Sequence, residues 1–295
     1  VKTKRNAALP VTGRDEGAFP VMEGWIAVSV EASYRRVVRT ALRQGALATG
    51  ERAVPEEVPV AFSYGGSTHA VMMASPADLV DFAVGFSLTE GIISIRSEIQ
   101  AIEVVEAGQG YDVQVDLTDT EADALRARRR HMAGPVGCGL CGIESIEQAV
   151  RVVPDLSGVN SSVYGNDIVA AVKALNDAQT LNRETRAVHG AGFYSPREGL
   201  LAAREDVGRH NALDKLAGAV MNAGISAETG IVAVTSRLSV EMVQKTAILG
   251  CPVLVAISAP TALAIETADK AGITLVALVR GEDFEIFTRA DRIIL

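Results

Sequence analysis

Apolar residues recur along the chain in two registers. Some form short β-branched runs, others are spaced three to four apart as on a helix, and the register changes at glycine and proline. Residues 1–20 have no period and read as a loose tail. Short apolar runs follow from Trp25 to Arg39 and from Val58 to Ser75, with Gly65-Gly66 as a hairpin turn. Ser75-Pro76-Ala77-Asp78 predicts a helix start, with Ser75 as the cap and Pro76 in the first helical position. Leu79, Phe82, Ala83 and Phe86 continue at helical spacing, and Gly91 ends the run. Ile102 to Val105 and Tyr111 to Leu117 predict a strand pair across Gly108-Gln109-Gly110.

Residues 119 to 130 read as a helix ending in the basic run 126–131. A glycine-rich segment comes next, then a short helix from Glu144 to Val150 and a longer one from Asn166 to Leu181. Beyond that the pattern is regular. Strands are expected at Leu200–Val207, Ile231–Thr235, Val253–Ile257 and Ile273–Val279, alternating with helices at His210–Asn222, Ser239–Leu249 and Thr261–Ala271. Gly224, Gly250 and Gly272 each follow a helix, where a left-handed residue is wanted. Alternation of this kind implies a largely parallel sheet with helices packed on it. The fold class is therefore α/β, with a mixed or parallel C-terminal sheet flanked by helices and a smaller N-terminal α+β part. The expected division is a tail at 1–20, an α+β part at 21–130, a mobile loop at 131–142 and an α/β part at 143–295.

The chain has 295 residues, 48% apolar and 22% charged, which excludes a disordered, collagenous or coiled-coil protein. A net charge of −8 argues against a nucleic-acid partner held through phosphates. Three cysteines cannot form a disulfide framework, so a reducing, cytoplasmic setting is expected. The basic start carries no apolar core of a signal peptide. Thr246 to Ile265 is uncharged and long enough to cross a bilayer, but Gly250, Pro252 and Pro260 cut it into helix, strand and helix. No membrane span is expected.

The sharpest local signal is Gly137-Cys138-Gly139-Leu140-Cys141-Gly142. Two such thiols can share a metal, form a disulfide or pass a sulfur atom. A zinc site commonly needs a second cysteine pair or closely spaced histidines, and Cys251 is too remote to supply one. A partial site completed by His131, His189 or His210 is one reading, and a thioredoxin-type disulfide without its βαβ frame is another. Sulfur transfer suits the context better. The glycines leave the thiols on thin backbone, while the following helix start and the upstream arginines favour thiolate. No resident metal is expected.

The second signal is Arg204-Glu205-Asp206-Val207-Gly208-Arg209-His210-Asn211, where a strand hands over to a helix. Free N–H groups beside Arg209 would suit a phosphate, and a surface salt-bridge cluster is the competing reading. Thr235-Ser236-Arg237, Ser258-Ala259-Pro260-Thr261 and Arg280-Gly281 repeat the arrangement at other strand ends, where open α/β sheets bind ligands. His189 stands alone in a small apolar segment. Its surroundings lack the His-x-Glu and following Pro-Cys-x-x-Cys of zinc deaminases.

GCGLCG at 137–142, REDVGRHNALDK at 204–215, TSRLSVEMVQK at 235–245 and SAPTALAIE at 258–266, in this order, resemble the formate dehydrogenase accessory proteins of the FdhD/NarQ family. The resemblance runs from about Pro59 to Thr288. It implies a sulfurtransferase that accepts a persulfide from a cysteine desulfurase and passes the sulfur to the molybdenum cofactor before insertion into formate dehydrogenase. It places the persulfide on Cys138, with Cys141 as a helper. It also implies that the bis(molybdopterin guanine dinucleotide) form is bound as substrate by Leu278, Val279, Arg280, Gly281, Glu282 and Asp283, with Arg209 and His189 nearby. A guanine nucleotide would then bind as a fragment of that cofactor. Leu278 and Asp283 stand where the family often carries an aromatic and a basic residue. The implied fold of the larger part is cytidine-deaminase-like without the zinc, and a homodimer is an option. The alternatives are a chaperone that only hands over the cofactor, and a structural metal-binding module.

Overall fold

The computed structural model describes residues 33–123, 125 and 153–295. The expected tail, the cysteine loop with Cys138 and Cys141, and the helix at 144–150 lie outside the described residues. The chain opens with a hairpin, β1 (Tyr34–Arg43) and β2 (Ala46–Pro55), whose second strand had no sequence signal. Then come β3 (Val58–Tyr64), β4 (Ser67–Ala74), helix α1 (Leu79–Thr89), β5 (Ile99–Ala107) and β6 (Gly110–Leu117). These four strands form one sheet in the order β4-β3-β6-β5, and both hairpins turn at the glycines expected. Its inner face carries Val60, Phe62, Val113 and Val115 against Phe82 and Phe86 of α1. Phe62 lies 4.8 Å from the Phe82 ring and stacks on Phe86 at 4.6 Å.

The second half begins with β7 (Val163–Tyr164), α2 (Gly165–Ala178) and α3 (Thr180–Thr185). It continues through β8 (His189–Ser195), β9 (Gly199–Asp206), α4 (Arg209–Asn222), β10 (Ile231–Val234), α5 (Val240–Leu249), β11 (Val253–Ala256) and α6 (Ala262–Lys270). Strands β12 (Thr274–Arg280), β13 (Asp283–Ile286) and β14 (Ile293–Ile294) complete it. The main sheet has six strands in the order β13-β12-β11-β10-β8-β9. The sheet is less parallel than the alternation implies. The expected strands β9, β10, β11 and β12 do share one direction, but β8 runs against them between β9 and β10, and β13 runs against β12. Short hairpin connections force both reversals. The uncharged stretch 246–265 is shared among α5, β11 and α6, and among the described residues no helix is long and apolar enough to cross a membrane.

Strand alternation divides the core into two layers. Val232, Val234, Leu254, Ala256 and Leu275 pack against α4, α5 and α6, while Ile231, Ala233, Val253, Val255 and Val276 pack against α2. The two halves meet where α1 crosses α4 at Gly85 and Gly218. A Cβ on Gly85 would sit 1.7 Å from the Asp214 carbonyl oxygen, and one on Gly218 would sit 1.8 Å from that of Asp81. Only glycine permits helices this close.

Two helix boundaries differ from expectation. Ser75 does not cap α1, which starts at Leu79 after a left-handed Asp78 at φ 54°. Ser75 is instead buried and held by the other half: its N–H donates to Asp206 at 2.9 Å, and its hydroxyl accepts from the Val207 N–H at 3.2 Å. The expected helix Asn166–Leu181 breaks at Gln179. The Glu205 carboxylate accepts the N–H groups of Leu181 and Asn182, both at 2.8 Å, and so starts a new helix there.

Candidate functional site

The four turns singled out in the sequence all leave the carboxyl ends of β9, β10, β11 and β12, along one edge of the main sheet. His189 joins them because β8 runs the other way and begins where its neighbours end. The turns are tied together. The Gly190 N–H donates to Thr235 Oγ1 at 2.9 Å, and the Leu238 N–H donates to the Ala259 carbonyl at 3.2 Å. Thr261 caps α6 by accepting the Ala264 N–H at 3.2 Å.

Most of the 204–215 segment is structural. Arg204 pairs with Asp81 of α1 at 2.5 Å, and Glu205 caps α3. Asp206 is fully buried with Lys215 at 2.6 Å, and also accepts from the Gly208 N–H and from Asn211 Nδ2. Asp214 binds Lys245 at 2.8 Å and Thr89 at 2.7 Å, while burial pushes its carboxyl above the usual carboxylate range. Arg209 and His210 take no part in these buried pairs, and the charges of both act on His189. The Arg209 Nε is buried and makes no hydrogen bond among the described residues. His210 Nε2 lies 2.7 Å from Glu241, and that hydrogen bond lowers the Glu241 pKa. His189 is half-buried; burial first, then the Arg209 charge, depress its imidazole below the ordinary value. These groups form one neighbourhood, on the α4 side of the edge.

A second neighbourhood is a cavity of about 580 Å³ on the α2 side. Val169, Val172, Ile257 and Val279 make its apolar wall, and Lys173, Asn176, Asp177, Arg280 and Glu282 its polar rim. A bulge in β12 shapes it. Leu278 adopts φ 56°, and the pairing with β13 shifts between Ala277 and Arg280. The bulge moves the alternation by one residue. Ala277 and Leu278 both pack toward α4–α6, so that Val279 turns toward α2. Among the residues singled out, Val279, Arg280, Gly281 and Glu282 line the cavity, and Leu278 and Asp283 do not. Lys173, Asn176 and Asp177 were missed in the sequence. They read as the solvent face of an amphipathic helix, and no local pattern distinguishes such a face from a cavity rim.

The two neighbourhoods occupy opposite faces of one edge. His189 on β8 and Arg280 on β12 are three strands apart, or about 14 Å at the usual strand spacing. A carboxylate pair and two cations around an apolar wall can hold a flat heteroaromatic group and its phosphates. Cys251 takes no part. It is buried two residues before β11, hydrogen-bonded to backbone carbonyls, with its thiol pushed up to about 12 by burial.

The sequence profile of the FdhD/NarQ family matches residues 55–294. A protein of Agrobacterium fabrum named sulfur carrier protein FdhD is 93% identical over 270 residues, covering 92% of this chain and 100% of that one. One of the same name from Brucella abortus is 58% identical over 260 residues, covering 88% and 97%. The crystal structure of a candidate formate dehydrogenase accessory protein from Desulfotalea psychrophila superposes with a TM-score of 0.71. It is 25% identical and covers 88% of this chain and 99% of that one.

Proposed function

The chain belongs to the FdhD/NarQ family, and from that premise we propose that it is a sulfur carrier serving formate dehydrogenase. Sulfur is collected as a persulfide on Cys138. The Cys138 thiolate attacks the outer sulfur of a cysteine desulfurase persulfide, an S–S bond forms on Cys138, and the donor cysteine leaves as thiolate. No outside oxidant or reductant is needed. The upstream arginines in the sequence favour that thiolate, and the flanking glycines leave little side-chain bulk around it. Cys141 would tune or resolve the persulfide.

The acceptor is the molybdenum cofactor in its bis(molybdopterin guanine dinucleotide) form, bound as substrate at the sheet edge. The observation that carries this reading is the cavity beside the β12 bulge. Its volume of about 580 Å³ suits one nucleotide end rather than the whole cofactor. Arg280 and Lys173 would meet phosphates there, and the remainder of the ligand would extend along the edge toward Arg209 and His189. Backbone strain at Leu278 is of the kind that persists where a surrounding structure enforces a binding geometry.

Two measurements test this. Intact mass after incubation with a cysteine desulfurase and cysteine should show one added sulfur on the wild type and none on Cys138→Ala; equal loading of both refutes the persulfide site. Calorimetry with guanosine diphosphate should show binding that Arg280→Ala weakens about tenfold, since a charge-assisted bond at an exposed side chain contributes on the order of 1.4 kcal/mol. Unchanged affinity in that variant refutes the cavity as the nucleotide site.

A further inference from the structure

We propose that the Glu241–His210 pair is the proton donor of the sulfur hand-over: Glu241 positions His210, and His210 Nδ1 protonates the thiolate that leaves when sulfur passes to the substrate. This deepens the sulfur-carrier reading and rests on it. Both residues stand in the first turns of neighbouring helices, His210 on α4 and Glu241 on α5, at the edge where β9 and β10 end. Their side chains are 29% and 31% exposed, so a bound substrate can reach them. His210 Nε2 lies 2.7 Å from Glu241 Oε2, and the Ser239 hydroxyl meets the same nitrogen at 3.5 Å. The hydrogen bond from His210 holds the Glu241 carboxyl below its ordinary value, and the α5 N-terminus favours the same charge. Glu241 is therefore a carboxylate and can only accept. It fixes the proton on Nε2 and leaves Nδ1, which has no partner among the described residues, as the nitrogen free to meet a substrate.

A plain ion pair between two helices would explain the contact but not its surroundings. The chain has four histidines, two of them at this edge, and imidazole is the side chain suited to exchanging protons near neutral pH. Their environments differ. Burial and the Arg209 charge keep His189 neutral, whereas His210 faces a carboxylate, and such a split assigns acid–base roles. The other charged groups acting here are Arg209 on α4 and Lys245 on α5, felt by Glu241, and Asp206 at the end of β9, felt by His189. Lys245 is committed to Asp214 and Asp206 to Lys215, so neither competes for the proton. Arg209, whose buried Nε has no partner among the described residues, adds fixed positive charge for a departing thiolate. The cavity accepts only a nucleotide end, and His189 is about 14 Å from Arg280 across three strands, so a substrate held there has its far end toward this cluster. The transfer then balances. The reduced metal centre of the substrate gives an electron pair to the outer persulfide sulfur and is oxidised by two electrons. The S–S bond breaks, Cys138 leaves with the bonding pair, and its sulfur takes the Nδ1 proton. Solvent reprotonates His210.

Single-turnover delivery tests the proposal. The full chain is loaded with one sulfur by a cysteine desulfurase, freed of donor and mixed anaerobically with the reduced molybdenum cofactor, and intact mass follows the loss of that sulfur from neutral to alkaline pH. In the wild type the rate should fall as pH rises and the imidazolium loses its proton. Glu241→Gln keeps the hydrogen bond but not the charge; it should slow delivery about tenfold at neutral pH and move the fall to lower pH. His210→Gln should slow delivery about a hundredfold and abolish the fall. Glu241→Asp, which keeps the charge, should retain the wild-type profile. Only chains already carrying sulfur are compared, so a loading defect cannot imitate the effect, and the urea midpoint of each variant reports its folding. A wild type that neither loads nor delivers overturns the sulfur-carrier reading and this inference with it. A wild type that delivers while Glu241→Gln and His210→Gln keep its pH profile overturns this inference alone. That includes variants slowed by one factor at every pH, which is what a merely structural pair would give.

Discussion

Replacing Lys215 by methionine isolates what the 204–215 segment does. Lys215 and Asp206 both have fully buried side chains, with Nζ 2.6 Å from the carboxylate and 2.9 Å from the Ser75 carbonyl. Methionine keeps the stem's volume beside Phe82, whose ring lies 5.4 Å from Nζ, so no cavity is created. What changes is charge. Asp206 keeps its N–H donors from Ser75 at 2.9 Å, Gly208 at 2.7 Å and Asn211 at 2.9 Å, but has no counterion. Breaking a buried pair by removing one partner costs about 3–5 kcal/mol, and three surviving donors favour the lower end, about 3 kcal/mol. In a chain of this size that is on the order of a 10 °C fall in Tm. Urea unfolding measures it, with Arg204→Met as the control. The Arg204–Asp81 pair is 26% and 17% exposed and Asp81 keeps the Asn222 amide as a donor, so its loss should fall between that of a surface and a fully buried pair, about 1–2 kcal/mol. A loss below about 1 kcal/mol in Lys215→Met, or equal losses in the two variants, would refute the view that this pair joins the two halves.

Gly218→Ala should destabilise by about 1–3 kcal/mol, because its Cβ meets the Asp81 carbonyl at 1.8 Å and the helices must part; an unchanged urea midpoint would contradict that. His189 should titrate by NMR below the ordinary histidine value of 6.5. Its folded pKa is the lower one, so its contribution to stability is complete above 6.5 and is lost as pH falls from there through the folded value; titration at or above 6.5 would show that burial does not dominate. Cys251 should resist alkylation in the native protein at mildly alkaline pH and react in urea, since its thiol is pushed up to about 12. Labelling of native Cys251 at the rate of a free thiol would place it outside the core.

Local rules read the second half of the chain well. Strand and helix positions from Gly199 to Arg280 follow hydrophobic period, and the ends of α4, α5 and α6 fall at Gly224, Gly250 and Gly272, all with positive φ. Residue neighbours set these features, so one sequence suffices to see them. The strand-end turns were legible for the same reason, as were Arg280 and Gly281. By contrast, the roles inside REDVGRHNALDK were not legible. An acidic or basic residue in a turn looks the same whether it faces solvent, caps a helix 24 residues earlier as Glu205 does for Leu181, or is buried 131 residues from its partner as Asp206 is with Ser75.

The sequence by itself determined the alternation of strand and helix from β9 to β12, the shared direction of those four strands and the chemistry of the turns between them. Tertiary structure alone decided that β8 enters between β9 and β10, that Ser75 leaves its helix to bind Asp206, and that the bulge at Leu278 turns Val279 toward α2. The physical reason is common to all three. A strand's facing residues, a buried charge's partner and a cavity's opposite wall are chosen by pairing across long chain separations, and the side-chain period of two makes one residue's shift in that pairing reverse which face a residue lines.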